Sequence, residues 1–233
     1  MHPVTFVSLG PGEAELITLK GYKTLQESDY IFYPQTILKT GVSSSRALDI
    51  LKQLGIDQNK LISFDIPMSK ERSLAIEAYK ATSDDIIKQY QNKKKITIVA
   101  EGDACFYSSS YYILENLISQ NIHVNNIPGI PAFIASGALA GIHIVKQEEQ
   151  LIVIPGVIST KELEEKIISG NTIVIMKTSQ CEDAIKSCIE KDLPVAYHYF
   201  ENVGVKGKEF YTLDKKNIVS KKFPYFSLMI IRR

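Results

Sequence analysis

The stretch Ala100-Glu101-Gly102-Asp103 places two carboxylates around a glycine at the end of the apolar run Ile96–Ala100. Carboxylates in such a position can accept hydrogen bonds from hydroxyls, such as those of a ribose, or from an amine. The same segment reads equally well as a turn in which Asp103 caps the next helix. Gly10-Pro11-Gly12 stands in the matching place after the earlier apolar run Val4–Leu9. A glycine loop between strand and helix lets backbone approach a ligand at the C-terminal edge of a sheet. It is no dinucleotide fingerprint, because Glu15 stands where a third glycine belongs, and no phosphate loop, because Gly-Lys-Ser/Thr is missing. Alone it reads as a tight turn. A third segment, Pro128-Gly129-Ile130-Pro131-Ala132-Phe133, opens a helix containing Ala135, Ser136, Gly137, Ala138, Ala140 and Gly141. Small residues serve either close helix packing, the commoner reason, or close approach of a ligand.

Other chemistries lack their residues. His2, His123, His143 and His198 are scattered, and Cys181 and Cys188 match no zinc spacing, so no metal site is expected. No Gly-x-Ser-x-Gly elbow offers a serine nucleophile. The 27 basic and 26 acidic side chains leave a net charge of +1, without the basic excess typical of a nucleic-acid protein. An anionic small molecule remains compatible with a local cluster of Lys and Arg. Three cysteines, an odd number, in a chain without a visible signal segment read as reduced thiols. No apolar run approaches the roughly 18 residues that span a bilayer. A cytoplasmic protein with neither membrane nor nucleic-acid partner is expected.

The elements that must position these loops alternate along the chain. Val4–Leu9, Tyr30–Tyr33, Ile96–Ala100 and Ile122–Ile127 read as strands. Glu15–Glu27, Ser43–Leu54, Ala75–Tyr90, Ser109–Ser119 and Ala132–Leu139 have helical period. Such alternation predicts a parallel sheet, with the first two loops on one edge of it. After about residue 145 the texture shifts. Strands Leu151–Ile154, Thr172–Met176 and Val195–Tyr199 are separated by helices Thr160–Ile168 and Cys181–Lys191. Strands Glu209–Leu213 and Tyr225–Ile231 come next with only a basic turn, Lys215–Lys222, between them, which suggests a hairpin-like finish and a mixed sheet. Two α/β domains are expected, 1–127 mainly parallel and 128–233 mixed.

In this order and at these separations the three loops resemble those of the tetrapyrrole (corrin/porphyrin) methylase family. Its Gly-Pro-Gly, acidic residue and Leu-Thr-Leu-Lys are matched by Gly10-Pro11-Gly12-Glu13 and Ile17-Thr18-Leu19-Lys20. Its Gly-Asp-Pro is matched by Gly102-Asp103-Ala104, with Phe106-Tyr107 after it, and its Pro-Gly-Val/Ile-Thr-Ser by Pro128-Gly129-Ile130-Pro131-Ala132. Ile173-Val174-Ile175-Met176 is similar to the family's second-domain strand that ends at the cofactor. Tyr33-Pro34, Phe64-Asp65-Ile66-Pro67-Met68 with Arg72, Phe106–Tyr111 and Pro224–Leu228 resemble the subgroup that methylates carbon 20 of precorrin-2 or cobalt-factor II in cobalamin biosynthesis. Ala104 departs from the family proline, and Pro131 and Ala132 from its Thr and Ser, so the hydroxyl contacts are lost, as is one N–H.

The resemblance implies two α/β domains with S-adenosylmethionine in the cleft between them, leaving as S-adenosylhomocysteine. It assigns to the cofactor Pro11, Glu101, Gly102, Asp103, Phe106, Ala132, Phe133, Met176 and Tyr197. Gly10, Gly12, Arg46 and Arg72 are assigned to the tetrapyrrole, whose carboxylates Lys20, Lys70 and Lys177 are further candidates to hold. Methyl transfer is an in-line displacement, so positioning does most of the work. Proton removal afterwards falls to Tyr33, Tyr107 or a substrate carboxylate, which the residues do not separate. The family also implies a homodimer. Competing readings are a sibling methylase acting at another macrocycle carbon, a methylase of a modified protein or ribosomal RNA, and a nucleotide-binding module without catalysis.

Overall fold

In a computed structural model, which describes residues 2–37, 43–66 and 72–233, the chain divides into two compact units, Met1–Pro131 and Ala132–Arg233. The division falls just after the Pro128–Pro131 loop rather than before it. The loop stays with the first unit because the Gly129 N–H donates to the Asp103 carboxylate.

The first unit alternates as its sequence pattern requires. Its strands are β1 (Val4–Ser8), β2 (Tyr30–Ile37), β3 (Ser43–Ser44), β4 (Leu61–Ile66), β5 (Ile96–Ala100) and β6 (Val124–Ile127). Its helices are α1 (Leu19–Glu27), α2 (Arg46–Gln53), α3 (Arg72–Gln91) and α4 (Tyr111–Ser119). The strands run in the order β4-β2-β5-β1-β6, all parallel, with β3 a short antiparallel addition to the end of β2. Successive side chains point to opposite faces. Phe6, Phe32, Ile96 and Ile98 therefore meet Tyr79 and Ile86 of α3 and Ile113 and Leu117 of α4 on one face. Val7, Ile31 and Val99 meet Leu25 of α1 and Ala47, Ile50 and Leu51 of α2 on the other. Enclosing each such aliphatic side chain stabilises the fold by about 1.5–3 kcal/mol, and Leu117→Ala would cost about 2–5 kcal/mol.

Three sequence expectations change in this unit. The helix predicted over Glu15–Glu27 is a short 3-10 turn, Ala14–Leu16, with α1 after it, because extended Thr18 caps the helix through the Gly21 N–H. The helix predicted over Ser43–Leu54 begins at Arg46, since Ser45 caps it by accepting from the Leu48 N–H at 3.0 Å. Strand β4 was not expected. Its pairing along β2, from Ile31 opposite Leu61 to Thr36 opposite Ile66, makes it an edge strand.

The second unit holds α5 (Ala132–Ala140), β7 (Leu151–Ile154), α6 (Thr160–Ile168), β8 (Thr172–Met176), α7 (Glu182–Glu190), β9 (Ala196–Glu201), β10 (Phe210–Thr212), α8 (Lys215–Ser220) and β11 (Ser227–Arg232). Its sheet, β10-β9-β11-β8-β7, is mixed: only β7 and β8 are parallel. The expected hairpin finish is not found. The supposed basic turn contains α8, capped by Asp214 through the Lys216 N–H and anchored by fully buried Ile218. The helix returns the chain so that β11 runs between β8 and β9 instead of beside β10. Among the described residues, no helix is long and apolar enough to cross a membrane, and no three His, Cys, Asp or Glu are placed to hold a metal.

Candidate active site

Strands β1 and β5 are neighbours and parallel, so the loops that leave them emerge side by side. The Leu9 N–H donates to the Ala100 carbonyl at 2.8 Å. One residue further, Gly10 and Gly102 exchange hydrogen bonds, N–H to carbonyl, at 3.1 and 2.7 Å. Both glycines are left-handed, at φ +80° and +66°, a region costly for a residue with a β carbon. Pro11 and Gly12 continue the first loop as buried residues.

Asp103 fastens the second and third loops to each other. Its Oδ1 accepts the Cys105 N–H at 2.8 Å, and its Oδ2 accepts the Gly129 N–H at 2.7 Å. The Ser8 hydroxyl lies 3.5 Å from Oδ2 and accepts the Ala104 N–H at 2.8 Å. At Gly129 a β carbon would fall 2.4 Å from the Ser8 β carbon and 2.8 Å from the Gly102 carbonyl oxygen. At Gly102 it would meet nothing within 4 Å. The edge is therefore tightly packed where the loops join and open where Gly102 presents its backbone.

Glu101 turns toward α2, where the Ala47 N–H donates to its carboxylate and Arg46 lies beside it. Burial raises the carboxyl above its ordinary range, and Arg46 and the Ala47 N–H oppose that shift. Burial likewise lowers the Arg46 guanidinium, against the pull of Glu101 and Asp49. Ser45, one residue earlier, donates to the Pro34 carbonyl at 2.6 Å, which ties the start of α2 to β2. Tyr33, in that strand, is packed in the core beside Val7, Leu9 and Ala47. Tyr107 is 48% exposed, sits at φ +50° and stands edge-on to Phe106 with ring centroids 4.7 Å apart. A non-glycine residue held left-handed costs about 1–3 kcal/mol and persists only where its surroundings impose it.

Residues 3–216 match the family model described as Tetrapyrrole (Corrin/Porphyrin) Methylases. The chain belongs to this family. Methylases of the family take their methyl group from S-adenosylmethionine. The chain is similar to the probable cobalt-precorrin-2 C(20)-methyltransferase of Methanocaldococcus jannaschii, at 28% identity over 80% of this chain and 76% of that one. It is also similar to the precorrin-2 C(20)-methyltransferase of a Sinorhizobium species, at 26% identity over 97% and 93%. Its fold is that of the uroporphyrin-III C-methyltransferase of Thermus thermophilus solved with S-adenosylhomocysteine, with a TM-score of 0.69 at 15% identity, covering 100% and 98% of the two chains.

Most of the other expected residues of this methylase belong to the second unit. Ala132 and Phe133 open α5, whose small residues serve packing in at least one position: a β carbon on Gly137 would come within 2.8 Å of Ile144. Met176 ends β8, where its carbonyl would meet a β carbon on Gly156 at 2.8 Å. Lys177 comes next at φ +53°, its ammonium 5.8 Å from the Tyr225 ring centre. Tyr197 is enclosed in the core, its hydroxyl donating to the Cys188 carbonyl at 3.1 Å, and burial pushes its phenol up. Lys20 is exposed on α1. Lys70, Pro67, Met68 and the Arg72 side chain lie outside the described residues.

The first unit thus brings Gly10, Gly102 and Asp103 together, and Glu101 with Arg46. Two participants were missed from the sequence, Ser8 and Ser45. The signal for Ser8 was present: a serine at the core-facing phase of Val4, Phe6 and Ser8 needs a buried partner.

Proposed function

We propose that this methylase is the S-adenosylmethionine-dependent C-methyltransferase that modifies carbon 20 of precorrin-2 or cobalt-factor II in cobalamin biosynthesis. One observation carries the reading: the bridged Gly10–Gly102 edge, open beside Gly102, occurs in a chain similar to two relatives that both bear the C(20) name. The residues leave room for the cofactor, because no atom fills the space beside Gly102, whose N–H and carbonyl are held by Gly10. The bound cofactor supplies a methyl group made electrophilic by its sulfonium.

The chain's own work is to bind and orient. Pro11, Glu101, Gly102, Asp103 and Phe106 of the first unit are assigned to the cofactor. So are Ala132, Phe133, Met176 and, through its main chain, Tyr197 of the second. Gly10 and Gly12 are assigned to the wall that faces the macrocycle, and Arg46, held beside Glu101, offers a guanidinium to one of its carboxylates. Arg72 is assigned the same task. Of the two candidate tyrosines, Tyr107 has the access needed to assist proton loss, whereas Tyr33 is core. The proposal includes a cytoplasmic homodimer, which light scattering checks: the mass of a single chain would overturn the dimer.

Incubation with S-adenosylmethionine and, in parallel, precorrin-2 or cobalt-factor II, read by mass spectrometry, tests the function. One of the two macrocycles should gain one methyl as one S-adenosylhomocysteine forms. Cofactor binding without any gain in mass of either macrocycle would overturn the reading.

A further inference from the structure

Ser8 is the last residue of β1 and is wholly enclosed, so no ligand can touch it. Strand alternation puts it in phase with Val4 and Phe6, both core residues. A hydroxyl at such a position is unfavourable unless its hydrogen bonds are made. Its polar partners lie within the edge that joins the loops. Its oxygen accepts the Ala104 N–H at 2.8 Å and stands 3.5 Å from Asp103 Oδ2, a long contact at the limit of hydrogen-bond reach. The same Asp103 oxygen accepts the Gly129 N–H at 2.7 Å, while Oδ1 accepts the Cys105 N–H at 2.8 Å. Ser8 also meets the third loop sterically, through the β carbon that leaves no room for one on Gly129. Two residues on, Gly10 is bridged to Gly102. The three glycine loops that leave β1, β5 and β6 are thus registered against Ser8, against the carboxylate beside it or, at Gly10, against Gly102.

We infer that Ser8 is a positioning residue: with Asp103 it forms a strut that sets the register of the three glycine loops, and it governs cofactor affinity without touching the ligand. The inference rests on the proposed reading of these loops as the cofactor-binding edge. On this account Asp103 works first as an acceptor for backbone N–H groups of two loops, and the ordering of those loops before binding contributes to affinity.

The test is Ser8→Ala, which keeps the β carbon and removes only the oxygen. The controls are Asp103→Asn, which converts one acceptor to a donor, and Ile113→Val, a core change on α4 away from the loops. S-adenosylhomocysteine affinity is measured by calorimetry well below the melting temperature, and amide exchange is tracked over residues 102–106 and 128–131. Ser8→Ala should weaken binding by about fivefold or more, the equivalent of one lost hydrogen bond. It should also speed exchange in both segments, although Ser8 itself bonds only the first. Asp103→Asn should do the same, whereas Ile113→Val should leave affinity within about twofold even where its Tm falls as far. Wild-type affinity in Ser8→Ala, or faster exchange confined to residues 102–106, would overturn the strut. If the wild-type protein does not bind S-adenosylhomocysteine, the functional reading and the affinity claim fail. The exchange pattern then still decides the strut: faster at 128–131 supports it, unchanged refutes it.

Discussion

Gly129→Ala adds one methyl group at the most crowded point of the loop junction. The new carbon would lie 2.4 Å from the Ser8 β carbon and 2.8 Å from the Gly102 carbonyl oxygen, whereas ordinary contact between carbons is about 3.5–4.0 Å. Gly129 is not among the glycines at positive φ, so the penalty is steric and not conformational. Neither neighbour can yield cheaply. Ser8 ends a strand paired on both sides, and Gly102 is bridged to Gly10. A displacement of about 1 Å at a packed site belongs at the upper end of overpacking costs, about 3 kcal/mol. At about 2–4 °C per kcal/mol for a chain of this size, Tm should fall by roughly 6–12 °C. Because the third loop must move away from Asp103, affinity for S-adenosylhomocysteine should drop by about tenfold or more, the equivalent of one charge-assisted hydrogen bond. Calorimetric melting and ligand titration measure both. A Tm within about 1 °C of wild type, with unchanged affinity, would refute the packing argument.

Other outcomes separate the roles of neighbouring residues. Gly102→Ala meets no atom but sits at φ +66°, so it should cost only about 1–2 kcal/mol of stability, yet weaken cofactor binding strongly by filling the open face; unchanged affinity would remove that face from the site. Glu101→Gln keeps an acceptor for the Ala47 N–H but discharges the partner of Arg46, so the KM for the macrocycle should rise by about threefold or more, and the double variant with Arg46→Gln should be no worse than Arg46→Gln alone. Additive losses in that cycle would separate the two residues. Tyr107→Phe should lower kcat while Tyr33→Phe leaves it unchanged, and the reverse ranking would move proton removal to β2. His198 is lowered first by burial and then by Arg232, so its unfolded form takes up a proton at higher pH than the folded one. Stability is then complete above about pH 6.5 and lost as pH falls below it, and Tm should drop from about pH 7.5 to about 5.5 more in wild type than in His198→Gln. Equal drops would contradict the assignment.

The two sheets were legible where their strands are nearly all apolar. Ile96–Ala100 in the parallel sheet and Thr172–Met176 in the mixed one reappear with the bounds their composition suggests. Elements decided by tertiary pairing were not. Leu61–Ile66 is a strand because β2 extends far enough to pair with it, and Lys215–Ser220 is a helix because Ile218 finds a core, neither of which local composition reveals. At the candidate site the loops were visible as glycine patterns, but not what joins them. The link from Ser8 to Ala104 spans 96 positions and that from Asp103 to Gly129 spans 26, so neither leaves a local periodic trace. Asp103 reads in sequence as a ligand acceptor or a local cap; its bond to the Cys105 N–H is local, and only the structure shows its other oxygen held by the distant Gly129 N–H.

The most direct test of the central claim is where the methyl group goes. Precorrin-2 incubated with S-adenosylmethionine carrying an isotopically labelled methyl should yield a product whose NMR spectrum shows the label on carbon 20 and nowhere else. A label on another carbon of the macrocycle would contradict the account.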